Sequence, residues 1–390
     1  IKPAPMAPGT YRNITGNQAL AWGLMAGAKK AGKDLFLGSY PITPATDIMQ
    51  ELAKHKWAGV KVLQAEDEIA GICSAIGASF AGDVAVTTTS GPGMALKTEA
   101  IGLAVMTELP LVIVNVQRGG PSTGLPTKTE QSDLLQAVWG RNGESPVVVL
   151  AASTPAACFD RAVEAIKIAT EHMTPVILLS ESYVANGAEP WKVKALDELP
   201  AIHPPVLTQP DPAWTPYGRD PATLARKWVV PGTPALQHRI GGLEKDECTG
   251  CVSHDPQNHE AMVALRRQKV ERVADFIPEQ KFRGKGAKKL LVVGWGGQFG
   301  TLFGAVTELR SEGKDIAVTH FNHIHPLPRN TASIFEQFEK IVVCELNSGQ
   351  FANYLRAVLP QFTYLQYNKV KGRPFKVSEL KDKFNELLAQ

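Results

Sequence analysis

Four short segments in the first third of the chain bring reactive side chains next to turn-forming residues. In Gly38-Ser39-Tyr40-Pro41-Ile42-Thr43-Pro44 two prolines flank a threonine. Proline fixes φ, so the Thr43 hydroxyl and the nearby amides are held in a set direction; an ordinary rigid turn is the plainer reading. In the second segment Glu66, Asp67 and Glu68 precede a run almost free of long side chains, from Ala70 and Gly71 through Gly77-Ala78-Ser79 to Ala81-Gly82. Acids placed there would cap a helix N-terminus, worth about 0.3–1 kcal/mol. Alternatively, the small residues let a flat ligand or another subunit approach a carboxyl whose pKa is raised by desolvation. The third segment, Thr87-Thr88-Thr89-Ser90-Gly91-Pro92-Gly93-Met94, is a glycine-bearing turn whose amides either line a ligand or merely connect two elements. In the fourth, Arg118 enters a loop of Gly, Pro, Ser and Thr that includes Ser122, Thr123 and Lys128. Its planar fork suits a carboxylate bound through two hydrogen bonds, and a surface pair with Glu130 is the alternative.

Elements that must carry these segments follow from the hydrophobic pattern. Strands are expected at 34–40, 60–64, 84–89, 111–116, 147–150 and 176–180. Helices are expected at 17–31, 44–55 with Pro44 in the first turn, 67–81, 94–106 and 155–171. Residues 111–116 are nearly all apolar, which fits a strand covered on both faces. Regular alternation of strand and helix implies a parallel sheet with right-handed crossovers, so the fold class is α/β. Each of the four segments then follows the C-terminal end of a strand, where such sheets bind ligands.

Beyond residue 200 the character changes. Nine prolines between Pro200 and Pro234 break regular structure and predict an extended arm over 201–285, closed by a helix at 259–277. A smaller α/β unit is expected over 286–390, with strands at 289–293, 316–320 and 340–344. Residues 13–200 form the first domain in this reading. Residues 1–12, rich in Pro and Ala, read as a linker remnant, so the chain is expected to be the C-terminal part of something longer.

Composition narrows the function classes. The chain has 390 residues, 44% of them hydrophobic, and a net charge of +3. The charges are mixed, without the basic stripe of a nucleic-acid binder. The cluster Lys281, Arg283, Lys285, Lys288 and Lys289 reads as a solvated linker. No apolar run approaches the roughly 20 residues that span a bilayer. Five cysteines include one C-x-x-C pair, Cys248 and Cys251, too few for a zinc or iron–sulfur site within this chain. Such sparse usage fits a reducing cytoplasm. Gly294-Trp295-Gly296-Gly297-Gln298-Phe299-Gly300 approaches a dinucleotide fingerprint, but Phe299 stands in place of the third glycine.

Taken in order, the Tyr-Pro-Ile-Thr-Pro turn, the Glu-Asp-Glu ahead of a Gly/Ala helix, the Ser-Gly-Pro-Gly turn and the Arg-Gly-Gly-Pro-Ser-Thr-Gly-Leu-Pro-Thr loop resemble the α subunit of 2-oxoacid:ferredoxin oxidoreductases. The likeness is closest to the 2-oxoglutarate branch, and it extends through His238–Glu244 to His323-Ile324-His325-Pro326-Leu327-Pro328. It implies a pyrimidine-binding thiamine diphosphate domain followed by a domain of transketolase C-terminal type. It also implies a β subunit that carries Mg²⁺, the diphosphate site and an iron–sulfur cluster. This chain itself holds no metal in that scheme, and it has no Gly-Asp-Gly with a downstream Asn. Ferredoxin as electron acceptor, coenzyme A as acyl acceptor, an (αβ)2 heterotetramer and a γ-like additional domain or chain belong to the same expectation.

For individual residues, the resemblance implies a glutamate whose proton promotes the imino tautomer of the pyrimidine. The family's glutamate precedes a Gly-Ala pair by nine positions, as Glu68 precedes Gly77-Ala78. Glu66 is the alternative and Asp67 the third choice. Pro41, Ser90 and Gly91 are expected against the cofactor, and Thr43 and Arg118 at the substrate carboxylate. Ser122, Thr123 and Lys128 would meet the distal part of the substrate. The same chemistry on pyruvate or branched-chain 2-oxoacids, and a non-catalytic assembly subunit, are the competing readings.

Overall fold

In the computed structural model, which describes residues 5–390, every strand expected between Asp34 and Ser180 is present. The first part of the chain runs β1 (Tyr11–Thr15), α1 (Gly16–Lys30), β2 (Leu35–Ser39), α2 (Thr46–Leu52), β3 (Val60–Gln64), α3 (Glu68–Phe80) and β4 (Val84–Thr89). It continues with α4 (Gly91–Leu96), α5 (Thr98–Thr107), β5 (Leu111–Gln117), α6 (Leu134–Trp139), β6 (Val148–Ala151), α7 (Ala157–His172), β7 (Pro175–Glu181), α8 (Ser182–Asn186) and β8 (Ala188–Lys192). The arm contains only β9 (Val206–Leu207) and β10 (Trp228–Val229) before α9 (Pro256–Arg272). Last come β11 (Phe282–Arg283), β12 (Leu290–Trp295), α10 (Phe299–Ser311), β13 (Ile316–Phe321), β14 (His323–His325), α11 (Thr331–Phe335), β15 (Lys340–Glu345), α12 (Gln350–Val358), β16 (Tyr364–Asn368) and α13 (Val377–Ala389).

The fold is α/β, with one large and one smaller sheet. The large sheet has the order β14-β6-β7-β5-β4-β2-β3 and is parallel except for β14. Strand β5 shows why its sequence is apolar throughout. Val112, Val114 and Val116 enter the core under α1 and α7, and Leu111 and Ile113 enter the core on the other face. Each such side chain, fully buried, contributes about 1.5–3 kcal/mol. Helices α1 and α7 approach closely because Gly23 and Gly27 face Phe159, Ala162 and Ile166; a Cβ on Gly23 would lie 2.4 Å from the Phe159 carbonyl oxygen. The smaller sheet, β11-β13-β12-β15-β16, shares its inner core with the large one. Leu291 and Val293 of β12 face that shared core, and Leu290 and Val292 face α10 and α13.

Several expectations are corrected. Helix α2 starts at Thr46 rather than Pro44, because Ile42 to Thr46 closes its own turn, with Thr46 Oγ1 accepting from the Ile42 amide at 2.8 Å. The single helix expected at 94–106 is two helices that meet at Lys97. Strand β1 pairs antiparallel with β8, so Tyr11 and Arg12 lie in a strand within the segment expected as linker; residues 1–4 of that segment lie outside the described residues. Helix α9 begins three residues early because Asp255 caps it, accepting from Asn258 N at 2.7 Å. Phe282 and Arg283, in the lysine- and arginine-rich stretch read as linker, pair with β13. Strand β14 leaves the C-terminal unit to pair with β6, so the two sheets are joined by hydrogen bonds as well as by packing.

The arm is pinned to the large sheet's helices by buried polar contacts. Trp228, fully buried, donates from Nε1 to the Ser79 carbonyl of α3 at 3.1 Å. Glu108, the left-handed C-cap of α5, is 1% exposed. It accepts from Lys269 Nζ of α9 at 2.5 Å and from Arg219 of the arm. These two cations hold its carboxyl well below the usual range despite burial. Because that pKa is depressed in the folded state, the stabilisation is present above the unfolded value of about 4.3 and is lost as pH falls. Glu108→Gln leaves two buried cations short of a partner. It is expected to cost about 3–5 kcal/mol in urea denaturation and to flatten the decline in stability between about pH 5 and pH 3.

Candidate active site

Because β5, β4, β2 and β3 are parallel and adjacent, their C-terminal ends stand side by side on one edge of the sheet. The four segments singled out by their chemistry are the turns that follow these strands. The Tyr40–Pro44 turn after β2 lies between the acidic turn after β3 and the Ser90–Gly91 turn after β4. The Arg118 loop after β5 completes the row.

The three acids separate by environment. Asp67 is the N-cap of α3, its Oδ1 accepting from Ala70 N at 2.8 Å. Glu66 is exposed and makes no hydrogen bond. Glu68, the first residue of α3, is half-buried against a tight group of side chains. Gly93 makes that packing possible: a Cβ there would lie 2.0 Å from Tyr40 Oη, 2.3 Å from Thr89 Oγ1 and 2.9 Å from Glu68 Cγ. Tyr40 Oη and Thr89 Oγ1 are hydrogen-bonded at 2.9 Å. The Tyr40 hydroxyl is pushed above its ordinary range by burial, and the neighbouring Glu68 adds to the shift.

Arg118 is buried, and its Nη1 reaches past β4 to donate to the Thr43 carbonyl at 2.6 Å. It makes no ion pair with Glu130, which instead accepts from the Gly372 amide. Thr43 and Pro41 are exposed at the rim. A cleft of about 590 Å³ opens beside Arg118, lined also by Gly91, Pro92, Ser122 and Asp133. Thr123 and Lys128 stand outside that lining. Lys128 lies at the base of the loop, where its carbonyl accepts from Gly119 N at 3.0 Å and its Cβ is near Gly372. Ser90 Oγ is buried and without a hydrogen-bond partner in the chain. The larger cleft, about 760 Å³ around Trp22, Trp57 and Trp191, reaches Asp34 and Gly59 at the opposite ends of β2 and β3.

Sequence reasoning missed three residues here. Asp133 lines the cleft, accepts from Asn115 Nδ2 at 3.0 Å, and has its carboxyl pushed up by burial. By sequence Tyr40 is only part of a turn. Lys97 falls inside the helix expected at 94–106, yet its Nζ donates to the Glu68 carbonyl at 2.7 Å and to Thr87 Oγ1 at 3.1 Å. Elsewhere, His323 and His325 make contacts within the chain, to Glu164 and Tyr354. Cys248 and Cys251 are free and exposed on a turn. The Gly296-Gly297 turn is filled by Glu181 and Gln131 of the large-sheet unit. No helix among the described residues is long and apolar enough to cross a membrane.

Residues 26–253 match the family described as pyruvate flavodoxin/ferredoxin oxidoreductase, thiamine diphosphate-binding. The chain is 49% identical over 385 residues to the 2-oxoglutarate oxidoreductase subunit KorA of Mycobacterium tuberculosis, covering 97% of this chain and 58% of that protein. It is 36% identical to the 2-oxoglutarate synthase subunit KorA of Methanocaldococcus jannaschii, covering 86% of this chain and 88% of the relative. Among solved structures, a 2-oxoglutarate:ferredoxin oxidoreductase from Magnetococcus marinus, with 2-oxoglutarate, coenzyme A and succinyl-CoA bound, superposes with a TM-score of 0.92. That match has 33% identity and covers 98% of this chain and 66% of the other. This chain therefore spans less than two thirds of the Mycobacterium and Magnetococcus chains.

The Gly93 contacts give a direct check on the site's packing. Gly93→Ala forces apart Tyr40, Thr89 and Glu68, and is expected to cost about 1–3 kcal/mol in chemical denaturation. Gly102→Ala, whose Cβ meets nothing within 4 Å, is expected to be neutral or stabilising.

Proposed function

Since the chain belongs to the pyruvate flavodoxin/ferredoxin oxidoreductase family, whose matched region is its thiamine-diphosphate-binding part, we propose that it is the α subunit of a 2-oxoglutarate:ferredoxin oxidoreductase. The reaction is the coenzyme A-dependent oxidative decarboxylation of 2-oxoglutarate to succinyl-CoA with reduction of ferredoxin. The observation that carries this reading is the row of turns at one sheet edge: Glu68 is held by Gly93's lack of a side chain, and Arg118 reaches across to the Thr43 carbonyl. In this assignment residues 13–200 form the pyrimidine-binding unit, 201–285 the arm and 286–390 the second unit.

Thiamine diphosphate, when bound, supplies a thiazolium ring that acts as electron sink for the loss of CO₂. The residues at the edge fit its pyrimidine end. Ser90 Oγ is an orphaned buried hydroxyl, Gly91 keeps the turn low, and Glu68 is a carboxyl beside a buried tyrosine and lysine. Glu68 holds and returns the proton at a ring nitrogen, and it is preferred over Glu66, which is exposed, and over Asp67, which caps α3. Thr43 and Arg118 receive the substrate's 1-carboxylate through a hydroxyl and a fixed guanidinium. Ser122 lines the cleft beside Arg118, and Thr123 and Lys128, on the same loop, are assigned to the distal carboxylate.

Nothing in this chain is assigned to magnesium–diphosphate or to an iron–sulfur cluster. Both belong to a β subunit, with which this chain forms an (αβ)2 assembly in the cytoplasm. A γ-like domain or chain contributes to coenzyme A handling. The longer relatives agree with such an additional part.

The test is reconstitution with the partner chain and a substrate panel read by viologen reduction. Turnover of 2-oxoglutarate above pyruvate and 3-methyl-2-oxobutanoate is expected, and rapid turnover of the branched-chain acid alone would overturn the substrate assignment. Glu68→Gln is expected to lower kcat by about 10²–10⁴-fold; full activity in that variant would favour the assembly-subunit reading. Arg118→Met is expected to raise the KM for the 2-oxoacid by about 10- to 100-fold.

A further inference from the structure

We infer that Lys97 is a positioning residue for Glu68, fixing the first turn of α3 and supplying the positive charge that the Glu68 carboxylate faces. The inference rests on the reading of Glu68 given above and goes beyond it by assigning a second group to the same proton.

Lys97 stands at the junction of α4 and α5 and is 0% exposed. Its ammonium donates to the Glu68 carbonyl and to Thr87 Oγ1, at 2.7 and 3.1 Å, and lies 5.0 Å from the centre of the Tyr40 ring. The lysine thereby ties three elements together at one point: the start of α3, the middle of β4 and the turn after β2. The titratable groups facing it are Glu68, Asp67 and Cys73 from α3 and its cap, and Tyr40 from the end of β2. No carboxylate among the described residues lies within 4 Å of Nζ.

Hydrogen bonding alone does not call for a charge at this position. A glutamine amide has two N–H donors and could serve a carbonyl and a hydroxyl. An ammonium without a contacting carboxylate is costly to bury. Burial indeed pulls the Lys97 ammonium down to about 8, against the attraction of Glu68, the next largest influence. That attraction is mutual. The ammonium therefore stabilises negative charge on Glu68 whenever the carboxyl has given up its proton, in a region where water screens little. Its hydrogen bond to the Glu68 carbonyl also fixes the backbone from which the carboxyl projects.

Since the folded pKa lies below the ordinary lysine value, the charge is present at neutral pH and disappears as pH rises through about 8. In the reconstituted complex, wild-type kcat is expected to fall on an alkaline limb in that range. Lys97→Met is expected to lower kcat by roughly 10- to 100-fold, to leave the KM for the 2-oxoacid within about twofold, and to abolish the limb. Lys97→Arg, which keeps its charge to higher pH, is expected to recover part of kcat and move the limb upward. Should Lys97→Met fail to fold, Lys97→Gln, which keeps neutral donors, is expected to give the same flat profile. A Lys97→Met enzyme with the wild-type pH profile would overturn the inference. So would methionine and arginine variants that lose activity equally on an unmoved profile. Glu68→Gln, measured alongside, separates the two readings. If it is inactive while Lys97→Met keeps the wild-type profile, only the role of Lys97 falls; if it retains full activity, the assignment of Glu68 falls and takes Lys97 with it.

Discussion

The parallel alignment of β5, β4, β2 and β3 is the constraint on which the site depends. A parallel neighbour puts like ends together, so four turns spread over about eighty residues of sequence arrive on one edge. The strands can hold that alignment because they are buried on both faces. Alternate residues of β5 enter two separate cores, and a slip of one position would exchange every one of them. The apolar interior thus fixes, to within a residue, where Tyr40, Ser90 and Arg118 emerge.

Close approach then turns neighbours into contacts. Gly93 carries no side chain where three others converge, and Gly91 leaves room for Asp133, whose Oδ1 would lie 2.9 Å from an added Cβ. The same device recurs where the smaller sheet meets the larger. Gly296 and Gly297 admit Gln131 and Glu181, and Gln131 Nε2 donates to the Trp295 carbonyl at 2.7 Å. Burial raises the Glu181 carboxyl to about 8.

Buried charge appears in two forms with different physical consequences. Glu108 is surrounded by Lys269 and Arg219, its charge compensated at contact distance, and the result is attachment of the arm and α9 to the sheet's helices. Lys97 has hydrogen bonds to neutral oxygens and only a more distant acid to face. The first arrangement secures structure, and the second leaves an ammonium, lowered by burial, beside the first turn of α3.

The α/β class, the six strands between Asp34 and Ser180 and the four turns bearing chemistry were legible in the sequence because apolar periodicity and turn residues are local signals. Glu68 ranks ahead of Glu66 and Asp67 in the sequence only through the family's Gly-Ala spacing, because by residue type the three are alike until α3 begins: Asp67 then caps it, Glu68 is half-buried and Glu66 remains exposed. Lys97, Asp133 and the pairing of β14 with β6 were invisible for a related reason. Their partners lie 29, 18 and 173 residues away, at Glu68, Asn115 and Leu150, and in each case on a different element. A sequence states what each segment can bury and where it must turn; only the strand order determines which turns share an edge, and only the packed backbone shows which side chain is left facing a charge.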